Sequence, residues 1–108
     1  MSAVPGTIVS HSPASTGAYI GSPAIVVMSD GSYVASHDFF GQGTNFDEYA
    51  VYRSEDRGQT WKKVAGFVGQ WWASLFLHRG HLFTIGVTRE YGHAVIRRSS
   101  DGGTTWTD

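Results

Sequence analysis

Two nine-residue stretches of the 108-residue chain follow one pattern, and this repeat constrains the fold more than any other feature. The first reads RSEDRGQTW (53–61), and the second, 45 positions later, reads RSSDGGTTW (98–106). Arg, Ser, Asp, Gly, Thr and Trp stay in register between them. A unit that returns at a fixed period buries its apolar face by stacking against its neighbours, so we expect a repeat architecture.

Short segments rich in β-branched and aromatic residues predict strands on both sides of this pattern. Turn sequences that contain glycine, such as SDGS (29–32), separate these segments, and no helical apolar period is long enough to compete. We therefore predict an all-β chain with four strands in the first unit and three in the second, where the fourth is cut short. The predicted strands are 22–28, 33–39, 49–55, 61–67, 71–77, 82–88 and 94–100.

A unit of four strands that repeats after 45 residues fits a β-propeller blade, since blades repeat at roughly 40 to 50 residues. A sandwich of about seven strands is the alternative. It explains the number of strands, but it gives no reason for one hairpin sequence to recur in each unit. We predict two blades, each a four-stranded antiparallel meander, at 19–69 and 70–108, preceded by an N-terminal segment at 1–18.

Composition narrows the possible partners. The net charge is -1 and no run of Lys or Arg occurs, so neither nucleic acid nor an anionic membrane is an expected partner. The chain has no cysteine, and its histidines lack partners at metal-ligand spacing, so we expect no disulfide, no metal and no other cofactor. No apolar run reaches the roughly 18 residues of a membrane span, and the first residues lack the pattern of a signal peptide.

The repeated pattern contains two turn motifs, the first at 54–61 and the second at 99–106, and each connects the third strand of a unit to the fourth. A short Asp side chain accepts hydrogen bonds from the amides of its own turn, while the glycine takes a left-handed conformation. The Thr closes the turn, and the Trp has the area to pack between sheets. We predict structural roles for Ser54, Asp56, Gly58, Thr60, Trp61, Ser99, Asp101, Gly103, Thr105 and Trp106.

Both motifs resemble the Asp-box, or BNR, repeat of the sialidase superfamily of β-propellers. The upstream sequence YIGSPAIVVMSDGSYVASHDFF (19–40) is similar to the first blade of bacterial sialidase-like proteins, so the resemblance covers nearly the whole chain from Tyr19 onward. It implies a complete protein with six blades, of which this chain represents about two. It also implies a secreted or periplasmic parent protein.

One departure from the family pattern bears on the substrate. Sialidases carry Arg-Ile-Pro at the start of the first blade, where the Arg belongs to a trio that binds the carboxylate of sialic acid. The corresponding residues here are Gly21, Ser22 and Pro23. We therefore expect a glycan other than a sialoside.

The order of strands in a meander predicts where chemistry can occur. The turn motifs and the first-to-second turns lie at one end of each blade, so the other connections meet at the opposite end, around the mouth of the central channel. From the turn glycine to the motif Asp, the first unit spans 25 positions and the second 21. We place the extra residues in the second-to-third connection, at the mouth, where additional loop is typical of binding. The mouth segments are 19–22, 37–48, 70–72 and 89–93.

Acids and a histidine in these segments are the catalytic candidates, because carboxyl and imidazole groups perform general acid and base chemistry on glycans. His37 and Asp38 rank first, and Asp47 comes next because the resemblance implies a loop aspartate as general acid near this position. The structural alternatives are a hydrogen-bonded loop histidine for His37, a loop-capping role for Asp38 and a solvated acid for Asp47.

Aromatic and charged residues of the same segments are candidates for substrate binding, since aromatic faces stack on sugar rings. Trp71 and Trp72 point to opposite sides of their strand, so at least one of them belongs to the core. Arg89 either binds an anionic group or has a structural role, and Tyr91 serves as a nucleophile only if a base contacts it. The predicted binding residues are Tyr19, Trp71, Arg89, Glu90 and Tyr91.

The function predicted for the parent protein is exo-acting glycoside hydrolysis. The alternatives are a propeller that binds glycans without catalysis and an assembly unit without a small-molecule site. Two blades alone expose an apolar face at each end, so we expect self-association, in which three copies complete a six-bladed ring. The stretch GTIVSHS (6–12) is a candidate outer strand for a neighbouring blade, and without such assembly we expect no activity.

Overall fold

The computed structural model describes residues 5–108, and its regular secondary structure consists almost entirely of β-strands. A 3-10 turn, Ala14–Thr16, precedes the first strand. The strands are β1 (Tyr19–Val27), β2 (Tyr33–Phe40), β3 (Glu48–Ser54), β4 (Lys62–Val68), β5 (Trp71–His78), β6 (His81–Val87) and β7 (Ala94–Ser99). No helix in the described residues is long and apolar enough to cross a bilayer.

The strands form two antiparallel meanders, one of four strands in the order β1-β2-β3-β4 and one of three in the order β5-β6-β7. This arrangement confirms the all-β prediction and is that of two consecutive propeller blades. We call the four-stranded sheet the first blade and the three-stranded sheet the second blade. Residues 100–108 form turns and add no fourth strand to the second blade.

The pairing register shows that the two blades repeat each other. Ala35 pairs with Tyr52 in the first blade, and their equivalents in the repeat, Thr84 and Arg97, pair with each other in the second. The innermost strands, β1 and β5, carry register shifts at matching places, between Gly21 and Ala24 in β1 and between Trp71 and Ser74 in β5. Residues 39–48 connect the last paired residues of β2 and β3, whereas the equivalent connection between β6 and β7 consists only of residues 88–93. The extra length of the first unit therefore lies in the β2–β3 connection.

The core lies between the two blades. Buried Val34, Tyr49 and Val51 of the first blade pack against Ala73, Leu75 and Leu82 of the second. The Thr84 hydroxyl donates a hydrogen bond of 2.9 Å to the Tyr49 hydroxyl across this contact. Burial raises the pKa of Tyr49, so the phenol stays neutral and the core contains no charge there.

The two turn motifs share a set of hydrogen bonds. In the first motif, the Thr60 amide and hydroxyl donate to the Asp56 carboxylate at 2.8 and 2.5 Å, and the Gly58 amide donates to the Ser54 hydroxyl at 2.7 Å. In the second motif, the Thr105 amide and hydroxyl donate to the Asp101 carboxylate at 2.9 and 2.6 Å. These bonds favour the ionised acid and lower the pKa of both aspartates to about 2.

The second motif also reaches the core between the blades. Gly103 has φ +105 and is so closely packed that an added Cβ would lie 3.3 Å from Val51 and 3.4 Å from Val34. Trp106 packs against the same core and lies 6.3 Å from the Phe67 ring of β4. The motif therefore joins the second blade to the first, in addition to closing its own turn.

Residues 7–10 of the N-terminal segment lie on the face of the first blade that is turned away from the second blade. The Thr7 hydroxyl donates to the Gly58 carbonyl, and the Tyr52 hydroxyl donates to Ser10 at 3.1 Å. Residues 6–12 form no strand within this chain, and the start of the predicted segment, residues 1–4, lies outside the described residues. The role of 6–12 as the outer strand of a neighbouring blade stays a prediction.

Candidate functional site

An open cavity of about 290 Å³ lies at the end of the blades opposite the turn motifs, where the two blades meet. We call it the mouth cavity. All four segments that the sequence places at the mouth contribute to it, so these segments meet at one end of the blades as the topology predicts. The lining residues are Gly21, Ser22, Asp38, Phe40, Phe46, Trp71, Trp72 and Glu90.

Two matching bulges shape the inner wall of the mouth cavity. Ser22 in the first blade and Trp72 in the second occupy equivalent bulge positions, and both have a left-handed backbone, with φ +48 in each case. A non-glycine residue rarely adopts this conformation unless its surroundings hold it there, and bulges often redirect a side chain near functional sites. At Trp72 the bulge turns a large ring toward the cavity.

Asp38 holds the second of these bulges. Its side chain is buried, and Oδ2 accepts a 2.9 Å hydrogen bond from the backbone N–H of Trp72. Only this oxygen is hydrogen-bonded within the part of the chain that the structure describes, so Oδ1 is free to accept a hydrogen bond from a ligand. Asp38 therefore both lines the cavity and connects the first blade to the second.

The His37 side chain lies on the opposite face of β2, because successive residues of a strand point to opposite faces. Its ring is buried, and Nε2 lies 3.0 Å from the Tyr52 hydroxyl and Nδ1 lies 3.1 Å from the Asp38 carbonyl. Burial lowers the pKa of His37, which favours the neutral ring. The expectation that His37 and Asp38 act together in the mouth does not fit this geometry.

The two tryptophans of β5 have different environments. Trp71 is buried and donates its indole N–H to the Phe39 carbonyl at 2.8 Å, while Trp72 is 47% exposed. Their ring centroids lie 4.5 Å apart, and Phe46 stands edge-on to Trp71 at 5.7 Å. Trp71 therefore supports the wall of the cavity, and Trp72, which the sequence did not single out as a binding residue, offers the accessible ring.

The β6–β7 connection brings the next predicted residues to the rim. Its Glu90 lines the cavity and donates its backbone N–H to the Phe46 carbonyl at 3.1 Å, which ties the connection to the first blade. Tyr91 is 87% exposed and stands perpendicular to Trp72, with 5.9 Å between the ring centroids. Arg89 is exposed in the same connection and does not line the cavity.

Two predicted residues lie beside the mouth cavity without lining it. The Asp47 carbonyl accepts a 2.8 Å hydrogen bond from the Gly69 amide, and its Oδ1 is buried without a partner among the described residues. Tyr19 is partly exposed and stands edge-on to Phe40, 5.4 Å away. Asp47 fixes the connection between blades, and Tyr19 supports a ring that does line the cavity.

A second, larger cavity of about 610 Å³ lies at the N-terminal segment, on the outer face of the first blade. Its walls are mostly apolar, and they include Ile8 of the segment and Ile25 and Ala35 of the sheet. Asp38 and the mouth aromatics do not line it. Among residues 5–108, no group of three or more His, Asp or Glu side chains is arranged to hold a metal ion.

Comparison with known proteins identifies solved structures with a similar fold. No model of a known protein family matches the chain, and no curated protein matches it. An α-L-arabinanase from Penicillium chrysogenum, solved with arabinobiose, superposes with a TM-score of 0.62 at 18% identity over 85% of this chain and 34% of its own. An α-L-arabinofuranosidase from Fusarium graminearum, solved with an iminosugar inhibitor, superposes with a TM-score of 0.64 at 17% identity over 82% of this chain and 30% of its own.

These likenesses support the fold at the level of the backbone. The chain spans about a third of the length of each of the two enzymes. At this level of identity the superpositions establish an arrangement of strands like that of part of each enzyme, and they transfer no residue roles.

Proposed function

We propose that this chain is part of a β-propeller that binds and hydrolyses glycans, and that the mouth cavity is its part of the substrate site. The observation that carries the proposal is the combination found there, a buried carboxylate, a second acid and an exposed tryptophan around one open cavity. Glycan sites use aromatic faces for stacking and carboxyl groups for hydrogen bonding and proton transfer. That both comparison enzymes act on arabinose glycosides agrees with this proposal.

Within this chain, Asp38 and Glu90 are the carboxyl groups best placed to contact a sugar, because both line the cavity. Asp38 carries over from the sequence prediction, and Asp47 remains a candidate general acid only if its connection moves toward the cavity. Glycoside hydrolysis needs two carboxyl groups across the scissile bond, and further groups would come from other blades. The turn motifs support a relation to the sialidase superfamily. The stretch Gly21–Pro23 disfavours a sialoside substrate, because it lacks the arginine that sialidases carry there.

A glycan-binding propeller without catalysis is the second candidate. One observation favours it: an oxygen of Asp38 accepts a hydrogen bond from the Trp72 amide, so the side chain has a structural role. Aryl α-L-arabinofuranosides and arabinobiose separate the two functions when they are offered to the self-associated form of this chain, in which other copies supply the blades that complete the site. Turnover that is lost in Asp38→Asn and in Glu90→Gln supports hydrolysis, binding without turnover supports the second candidate, and neither binding nor turnover refutes both.

We also propose that the chain self-associates through its two end faces. The outer face of the second blade exposes Phe76, Ile85 and Ile96. In the repeat, these three residues are equivalent to residues of the first blade that face the second blade. The outer face of the first blade likewise repeats the buried face of the second. The contact between the blades can therefore recur between copies, in head-to-tail fashion, with displacement of the N-terminal segment.

A further inference from the structure

We infer that the mouth cavity takes a sugar unit without negative charge and holds it on the rings of Trp72 and Tyr91. This inference rests on the proposed function and goes further, since it names the class of substrate. Three features carry it: the aromatic rim, the charges that line the cavity, and the positions of the arginines of the chain.

The aromatic rim is built as a platform. Trp72 is held in its left-handed bulge by the Asp38 carboxylate, so its ring is positioned before a ligand arrives. Tyr91 meets this ring edge-on, and Trp71 supports it from the protein side. An exposed ring fixed in this way presents an apolar face to the C–H groups of a sugar, and little side-chain freedom is lost on binding.

The charge around this platform is negative. Asp38 and Glu90 are the ionisable residues that line the mouth cavity, and no Lys, Arg or His lines it among the described residues. Carboxylate oxygens accept hydrogen bonds from sugar hydroxyl groups and from the ammonium group of an amino sugar. They repel the carboxylate, sulfate or phosphate of an acidic sugar, because like charges in a partly desolvated site interact strongly.

The arginines that are partly buried are engaged elsewhere. Arg53 pairs with Asp30 and Glu55 at the opposite end of the first blade. Arg97 donates to the side chain of Gln70 at 3.1 Å and stacks on Phe67. Neither guanidinium is available to the mouth cavity. Arg89, next to Glu90, is exposed and does not line the cavity, so no bidentate cation of the kind that recognition of a sugar carboxylate requires lines it among the described residues.

The test compares two sugars that differ in charge. The 108-residue chain is titrated with methyl α-galactoside and with methyl α-galacturonoside, which carries a carboxylate at C6, and arabinobiose serves as a second neutral probe. Binding is followed by saturation-transfer NMR at low and high salt. We expect the neutral galactoside to bind about 10-fold more tightly than the galacturonoside at low salt, and we expect the difference to shrink at high salt.

Variants assign the effect to residues. Glu90→Gln should reduce the preference to about 3-fold or less, while Glu55→Gln, an exposed acid at the opposite end, should leave it unchanged. Trp72→Ala should weaken binding of all neutral probes by about 10-fold, and Leu77→Ala, at the end of β5 away from the cavity, should not. Trp72→Phe keeps a ring in the bulge and should retain part of the affinity if the alanine variant does not fold.

The outcomes separate this inference from the proposal beneath it. If no neutral sugar binds, the proposed glycan site is refuted, and the inference with it. If neutral sugars bind at Trp72 but the galacturonoside binds equally or more tightly, the proposed function survives and the inference is overturned. A charge preference that persists unchanged in Glu90→Gln and in Asp38→Asn also overturns it, because the carboxylates would then not be its source.

Discussion

Leu82 and Leu77 offer a matched test of the packing between the blades. The two residues are paired across β5 and β6 in the second blade, but Leu82 is fully buried against the first blade and Leu77 is 41% exposed. Each substitution to Ala removes the same atoms from the same hairpin. A difference in their effects therefore reports the contact between blades and not the strength of the hairpin.

The magnitude follows from the cavity that each change leaves. Leu82 lies in the core beside Val34 and Gly103, where the backbone has little room to close around a void. Loss of a buried leucine to Ala typically costs about 2 to 5 kcal/mol, and we expect about 3 kcal/mol at Leu82. At Leu77, where much of the side chain already contacts water, we expect less than about 1 kcal/mol.

Urea unfolding followed by tryptophan fluorescence measures both free energies. With a slope of about 1.5 kcal/mol per M, the Leu82→Ala midpoint should fall by about 2 M and the Leu77→Ala midpoint by less than about 0.7 M. Leu82→Val, which removes a single methylene and should cost about 1 kcal/mol, provides a value if the alanine variant is unfolded in water. Equal losses for the two leucines would refute the packing of the second blade on the first.

Three further predictions test the turn motifs, the core and the end faces. Asp56 and Asp101 have pKa values of about 2 in the folded chain against an ordinary 3.8, so their ionised forms stabilise the fold above pH 4, and this stability is lost as the pH falls toward 2. The urea midpoint should therefore drop between pH 4 and pH 2, and it should drop less in Asp56→Asn and in Asp101→Asn. A pH profile that is the same in both variants as in the parent chain would contradict the turn geometry. Thr84→Val leaves the buried Tyr49 hydroxyl without its donor and should cost about 1 to 3 kcal/mol by urea unfolding, whereas a cost near zero would show that this hydrogen bond contributes nothing. Light scattering should find a mass above that of a monomer for the chain and a monomeric mass for Ile96→Asp, and a monomeric parent chain would exclude association through the end faces.

The repeat made the fold predictable from the sequence. Each predicted strand overlaps an observed one, and the ends differ by at most three residues, the largest difference being at Tyr19, where β1 begins earlier than expected. This agreement has a physical cause: the turn motifs mark one end of each hairpin, and alternation of apolar residues sets the rest. The mouth was predictable for the same reason, because a meander sends alternate connections to opposite ends.

The details of the site were less predictable. Strand alternation predicts that Trp71 and Trp72 point to opposite sides, but the left-handed bulge at Trp72 brings both rings to the mouth cavity. The sequence does not show this bulge, because the Trp72 amide donates its hydrogen bond to Asp38, which lies 34 positions away. The adjacent pair His37 and Asp38 looked like one catalytic unit in the sequence, yet strand geometry sends the two side chains to different faces. Contacts that cross between blades are not encoded in the local sequence.

A map of the amide and indole NMR shifts of this chain on addition of arabinobiose tests directly whether the mouth cavity is a glycan site. Binding at the mouth cavity should shift the Trp72 indole and backbone N–H and the amides of Glu90 and Tyr91, with no change at Thr60 and Thr105 in the turn motifs. Shifts confined to the turn motifs or to the larger cavity at the N-terminal segment would contradict a glycan site at the mouth cavity. The absence of any shift would contradict it as well.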